Sequence, residues 1–205
     1  MRMMWIAAAA LAALPAGSAA AQEPDTYARP DPAPDAAAQL AEMTELYERV
    51  CLQVFPDDKA VDAEMTRRGG VRLSEAGVRY FLHADPGVGW HLKGRNGDFD
   101  ITIEAPPYHA CSVRARTTAG FKDWSPYRSA VDRFEKSGSF KTMKPQSFTA
   151  DDVTTVAHGE SKQLSDGGRE AFLVLSATPV ARIRKQGKDA VEVRFVHQLA
   201  SPGAR

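Results

Sequence analysis

Glu104, Tyr108 and His109 place a carboxylate, a phenol and an imidazole within six residues, and Arg114 and Arg116 follow two positions apart. Two kinds of chemistry suit these side chains. Glu104, Tyr108 and His109 could share general acid and base work in a small hydrolase-like site. With Arg114, and Arg116 beside it, the same loop could hold a small anionic ligand, because a guanidinium recognises a carboxylate or phosphate through paired hydrogen bonds. A loop stiffened by Pro106 and Pro107, with a tyrosine packed over a neighbouring disulfide, is equally an ordinary structural element.

A second cluster is Arg182, Arg184, Lys185 and Lys188 around Gly187. Four positive charges at a predicted hairpin tip could dock an acidic envelope protein, a lipid headgroup or a glycan, or could protect a sheet edge from unwanted pairing. No aromatics interleave these charges as a nucleic-acid surface requires, so nucleic acid is not an expected partner.

The five histidines are His83, His91, His109, His158 and His197. No two share a predicted element at ligand spacing, so no metal is expected, and no glycine-rich nucleotide loop or G-x-S-x-G elbow calls for a cofactor or a known nucleophile. His197 falls on a predicted core face, where a hydrogen-bonded structural histidine is the ordinary outcome, and His91 falls on a predicted solvent face.

These residues must be positioned by the stretch from Trp90 to Arg116. Asn96-Gly97 is the dipeptide best suited to a two-residue type I′ turn, which sets a register of Arg95 against Asp98 and Trp90 against Ile103. Trp90, Leu92, Phe99, Ile101 and Ile103 then share a core face, with Lys93, Arg95, Asp98 and Asp100 on the solvent face. Pro106 and Pro107 end the second strand, and Cys111, Val113 and Ala115 alternate with Ser112, Arg114 and Arg116 along a third.

Upstream, Asp35 caps a predicted helix whose apolar stripe is Leu40, Met43, Tyr47, Val50 and Val54, ended by Pro56. Asp57 and Ser74 cap two further helices. Ser125-Pro126 starts a fourth, with the stripe Tyr127, Ala130, Val131 and Phe134, ending at Gly138. Strands are expected over 140–148, 153–158, 171–183 and 190–199, the third apolar on both faces and so central. This order does not alternate strand and helix. It predicts an α+β domain over 35–205: an antiparallel sheet with the N-terminal helices and one inserted helix packed on one face.

Arg2, an apolar run from Met3 to Leu14, and Ala19-Ala20-Ala21 read as a Sec-type signal peptide over 1–21 with cleavage near Ala21. That run is too short to span a bilayer, so no stable membrane insertion is expected after cleavage. Residues 22–34, with Pro24, Pro30, Pro32 and Pro34, read as an extended tether. Export to the periplasm or beyond makes the two cysteines, Cys51 and Cys111, a disulfide in preference to a redox pair. Charge is uneven: 22–105 holds 9 basic and 16 acidic residues, 106–205 holds 16 and 10, so the halves attract each other.

The combination Val50-Cys51-Leu52, Phe55-Pro56-Asp57, the run Phe81 to Gly87, Gly89-Trp90, the run Ile103 to Arg114, and His197-Gln198 resembles a family of small exported proteobacterial proteins of unknown function. That family includes neisserial lipoproteins. The resemblance covers most of the mature chain and implies export and a shared fold. It assigns no catalytic residues, and this chain lacks the lipid-acceptor cysteine of the lipoprotein members. The expectation is a non-enzymatic binding or envelope accessory domain whose partner is an envelope protein or a small anionic ligand. A small hydrolase-like enzyme using the Tyr108/His109 loop is the alternative.

Overall fold

The computed structural model describes residue 30, residues 34–135 and residues 139–204; the signal-like segment, nearly all of the tether and Gly138 lie outside the described residues. Asp35 caps α1 (Ala36–Tyr47) by accepting from the Ala38 N–H at 2.7 Å, and the helix runs on as a π-helical segment, Glu48–Val54. Asp57 and Ser74 cap α2 (Asp58–Arg67) and α3 (Glu75–Leu82) through their side chains, as the sequence pattern predicts. Between them β1 is a two-residue strand, Val71–Arg72, that the pattern does not reveal.

Then come β2 (Gly87–Lys93), β3 (Asp98–Glu104) and β4 (Tyr108–Thr117), followed by α4 (Ser125–Phe134). The last stretch holds β5 (Lys141–Thr142), β6 (Gln146–Ala150), β7 (Val153–Gln163), β8 (Arg169–Pro179), α5 (Ala181–Arg184) and β9 (Val191–Ala200). All pairings are antiparallel, in the order β1-β2-β3-β4-β9-β8-β7-β5 with β6 also on β7. The fold is thus α+β, and β8, the strand apolar on both faces, lies inside the sheet.

One expected register is corrected. Lys93 pairs with Asp98 and Trp90 with Ile101, so the hairpin has a four-residue loop instead of a two-residue turn. Glu42 of α1 is the cause: its carboxylate accepts the Arg95 and Asn96 backbone N–H groups at 2.9 and 2.7 Å and the Asn96 side chain at 3.0 Å. The slip is two residues, an even number, so the faces survive and Trp90, Phe99, Ile101 and Ile103 are all buried as predicted. A two-residue hairpin turn with both central residues at positive φ occurs elsewhere, at Asp151-Asp152 (47° and 66°) between β6 and β7.

On the main core face, Met43, Leu46, Tyr47 and Val50 of the first helix and Tyr127, Ala130 and Val131 of α4 pack on Phe99, Ile101, Val113 and Phe195. Tyr47 is fully buried and its hydroxyl donates to the Val196 carbonyl at 3.0 Å, which removes the cost of burying an unpaired phenol. Cys51 and Cys111 form the expected disulfide, with Cα atoms 5.3 Å apart and a sequence separation of 60.

The second face is not simply solvent. α3 crosses it over β2 and β3, and the glycines of β2 make that possible: a Cβ on Gly87 or Gly89 would stand 2.4 Å from Leu82 or 2.7 Å from Leu73. Thr102 and Arg114, on the side predicted to face water, are therefore buried. α3 stops at His83; it packs on β2 and β3, and α5 is the helix that contacts β8.

Candidate functional site

Strand alternation decides what the Pro106-Pro107 loop can do. Glu104 pairs with Ala110, and Tyr108, Ala110, Ser112, Arg114 and Arg116 alternate onto the second face. His109 alternates with Cys111 onto the helix-covered face. There its Nε2 lies 2.8 Å from Asp58 Oδ1 and its ring meets Phe55 edge-on at 4.6 Å. Glu104, Tyr108 and Arg114 share a side of the sheet, and His109 is not brought to them. Burial, with Asp85 nearby, raises the Glu104 carboxyl, while Arg194 and Arg114 pull it down.

Around the second basic cluster the chain forms a short helix, α5, instead of an open hairpin tip. Val180, just after β8, is fixed by its N–H bonding the Asp152 carbonyl at 2.8 Å. Arg182 pairs with Asp152, and Arg182, Arg184 and Lys185 are exposed while Lys188 is half-buried.

The structure gathers a different set of residues at Arg114. Its side chain is 2% exposed. Nη1 donates to Thr102 Oγ1 at 2.7 Å, Nε lies 3.7 Å from Glu192 Oε1, and the guanidinium stacks 4.9 Å from the Phe81 ring. Nη2 is buried with no hydrogen-bond partner. Burial, then repulsion from Arg194, pulls the Arg114 pKa down to about 9, with Glu192, Asp100 and Glu104 acting the other way; the group remains charged at neutral pH. Arg194 is lowered by the same burial.

Arg114 and Arg194 lie on the floor of a groove of about 460 Å³ between α3 and the exposed half of the second face. Phe81, Phe148, Val153, Leu175 and Ala177 supply apolar walls, and Arg79, His83 and Glu192 add polar groups. Phe148 is 56% exposed, a large apolar ring left in water in the groove that the buried Arg114 floors. Tyr80, Asp151 and Thr155 add further polar atoms, so the groove has the size of a small-molecule site with a mixed apolar and charged lining. Of the residues singled out in the sequence, Arg114 is here. Arg194 and Glu192 join it from β9, and the sequence carries their signal: with Val193, Phe195 and His197 on the core face, the intervening charges must sit on the other.

A second buried charged group lies on the helix-covered face. Phe55 N–H bonds to Val50 O, the i→i+5 pattern of the π segment, so the Cys51 carbonyl would look to residue 56 for its donor. Residue 56 is Pro56 and has no N–H. His197 fills the gap: its Nδ1 donates to Cys51 O at 2.7 Å while Nε2 meets Glu170 Oε1 at 2.8 Å, and Lys162 Nζ lies 2.8 Å from Glu170 Oε2. The rings of Phe172, Phe55 and Phe134 enclose it at 4.7, 5.2 and 5.5 Å. Burial opposes ionisation of Glu170 most strongly, yet the hydrogen bonds and charges of His197 and Lys162 hold its carboxyl below the usual range. Both His197 nitrogens and both Glu170 oxygens are engaged. This arrangement is the structural histidine expected from its core position.

Among the described residues no three His, Cys, Asp or Glu side chains are placed to hold a metal ion, and no helix is long and apolar enough to cross a membrane. Compared with family models, with curated proteins and with solved structures, the chain matches none.

Proposed function

We propose that this chain is an exported, non-enzymatic binding domain that takes a small anionic ligand in the groove over Arg114. One observation carries the reading: an arginine 2% exposed, at the floor of a cavity, with a buried N–H₂ group that no protein acceptor satisfies. A buried donor without a partner costs about 1–3 kcal/mol, and a ligand oxygen would remove that cost on arrival. The walls combine apolar side chains with charged ones, Arg79, Asp151 and Glu192 among them, a lining able to hold a molecule that is part apolar and part charged. The Cys51–Cys111 bridge and the signal-like first 21 residues support a periplasmic or secreted location, and the resemblance to exported proteobacterial proteins points the same way.

Native mass spectrometry of the protein taken from its own compartment tests the reading. The expected result is a chain cleaved near Ala21, oxidised at both cysteines, and carrying one small acidic molecule that Arg114→Met releases. A chain that carries nothing, and whose melting temperature neither acetate, phosphate nor decanoate raises, would reject it.

A further inference from the structure

We infer that the ligand of this groove is a single-chain amphiphile with a monoanionic carboxylate head, fatty-acid-like, its head on Arg114 and its tail along the second faces of β6, β7 and β8. The inference rests on reading the groove as an anion site and adds the class of molecule.

The head follows from charge and from the count of unmet donors. Arg114 and Arg194 on the floor already face Glu192, with Glu104 and Asp100 close enough to act on Arg114. Glu192, Glu104 and Asp100 thus offset part of the positive charge on the floor, and the Arg114 Nη2 group is buried without an acceptor. One carboxylate satisfies it. A doubly charged phosphate would bring a second negative charge against Glu192 in a site sheltered from water, where like charges repel more strongly.

The tail follows from the walls. The second faces of β6, β7 and β8 present Phe148, Ala150, Val153, Leu175 and Ala177 to the same groove as Arg114, with Phe148 and Ala150 exposed and the other three half-buried. An apolar strip running outward from a buried cation is complementary to a molecule with a charged end and a hydrocarbon chain. A polar anion such as phosphate would leave that strip, and the Phe148 ring, in water.

Isothermal titration of the oxidised chain below micellar concentrations separates the parts, with acetate as head alone, decanoate as head with tail, decyl maltoside as tail with a neutral head, and inorganic phosphate. Decanoate is expected to bind once per chain, about 100-fold or more tighter than acetate, since each buried methylene contributes about 0.8 kcal/mol. Glu192→Gln, which removes the competing carboxylate, should tighten decanoate several-fold and leave decyl maltoside unchanged; this gain cannot come from misfolding. Phe148→Ser, at an exposed position, should weaken decanoate and leave acetate alone. If phosphate or acetate binds as tightly as decanoate, the tail assignment fails while the anion site stands. If decyl maltoside matches decanoate, or if the ligand-free chain is a stable dimer that decanoate does not dissociate, the inference fails. Should no anion bind at all, both it and the reading beneath it fall.

Discussion

Two buried charged clusters sit on opposite faces of one sheet, and they differ in whether their hydrogen bonds close. On the helix-covered face His197, Glu170, Lys162 and the Cys51 carbonyl satisfy one another, and aromatic rings seal the group. On the other face Arg114 reaches Thr102 and Glu192 but keeps one N–H₂ group buried and unmet, and a groove opens over it. The first is the kind of network that locks a core; the second is the kind that awaits another molecule. Burial alone does not separate a structural charge from a binding one. Complete pairing does.

The largest effect that would sharpen the contrast is removal of the clamp beneath the closed cluster. Cys51→Ser with Cys111→Ser should cost about 4 kcal/mol, the loop-closure value for a bridge of this span, read as a lowered urea midpoint. Cys51 also supplies the carbonyl that His197 holds, so hydrogen exchange should quicken around β9 and the π segment before it quickens at Arg114. A uniform response across both faces would break the distinction.

Next, opposite outcomes are expected from cutting each cluster. Glu170→Ala strands a buried histidine and a half-buried lysine and should cost about 3 kcal/mol. Arg114→Met exchanges an incompletely paired charge for an apolar chain of similar reach and should leave stability within about 1 kcal/mol of the parent. Equal losses in chemical denaturation would mean that Arg114 is structural too.

Acid provides a milder version of the first cut. Glu170 is held low by His197 and Lys162 against its burial, and Glu64 is drawn down to about 2 by hydrogen bonds from Arg67 and Arg68. A carboxyl whose folded pKa is depressed stabilises above its unfolded value, so stability should be intact above roughly pH 4.5 and fall as pH drops toward 2. The Glu170→Gln variant should show a shallower fall in midpoint across that window; an unchanged slope would remove Glu170 from the account.

The smallest effect belongs to His91, half-exposed on the second face and 2.9 Å from Asp100. Its hydrogen bond to Asp100 raises its pKa, so the pair stabilises below the unfolded histidine value near 6.5 and is lost as pH rises through the higher folded one. Solvent screening keeps this under about 1 kcal/mol. Asp100→Asn should abolish that small alkaline decline in midpoint and leave decanoate affinity within a factor of two or so.

Much of the fold could be read one-dimensionally because its causes are local. Asp35, Asp57 and Ser74 cap helices with their own side chains, and Cys111, Val113 and Ala115 keep to one face because strand side chains alternate. The strand expected over 140–148 breaks at Pro145, which cannot donate to a ladder, leaving β5 and β6. The hairpin shows the limit: Asn96-Gly97 is a strong turn signal, yet a carboxylate more than fifty residues upstream reset it by gripping the loop. The alternation that placed Arg114 opposite Cys111 was correct, but the label of solvent for that side was not, because α3 covers it.

Periodicity, caps and the pair of cysteines determined by themselves the four longer helices and the principal strands, which residues of the hairpin share the apolar face, and that Cys51 meets Cys111. These depend on side chains a few positions apart and on the only two thiols in the chain. Only the tertiary structure decided that a helix carbonyl deprived of its donor by Pro56 is completed by His197, and that Arg114 lies buried with a donor to spare. Each of those depends on which distant group stands within about 3 Å of a polar atom, and no local pattern carries that distance.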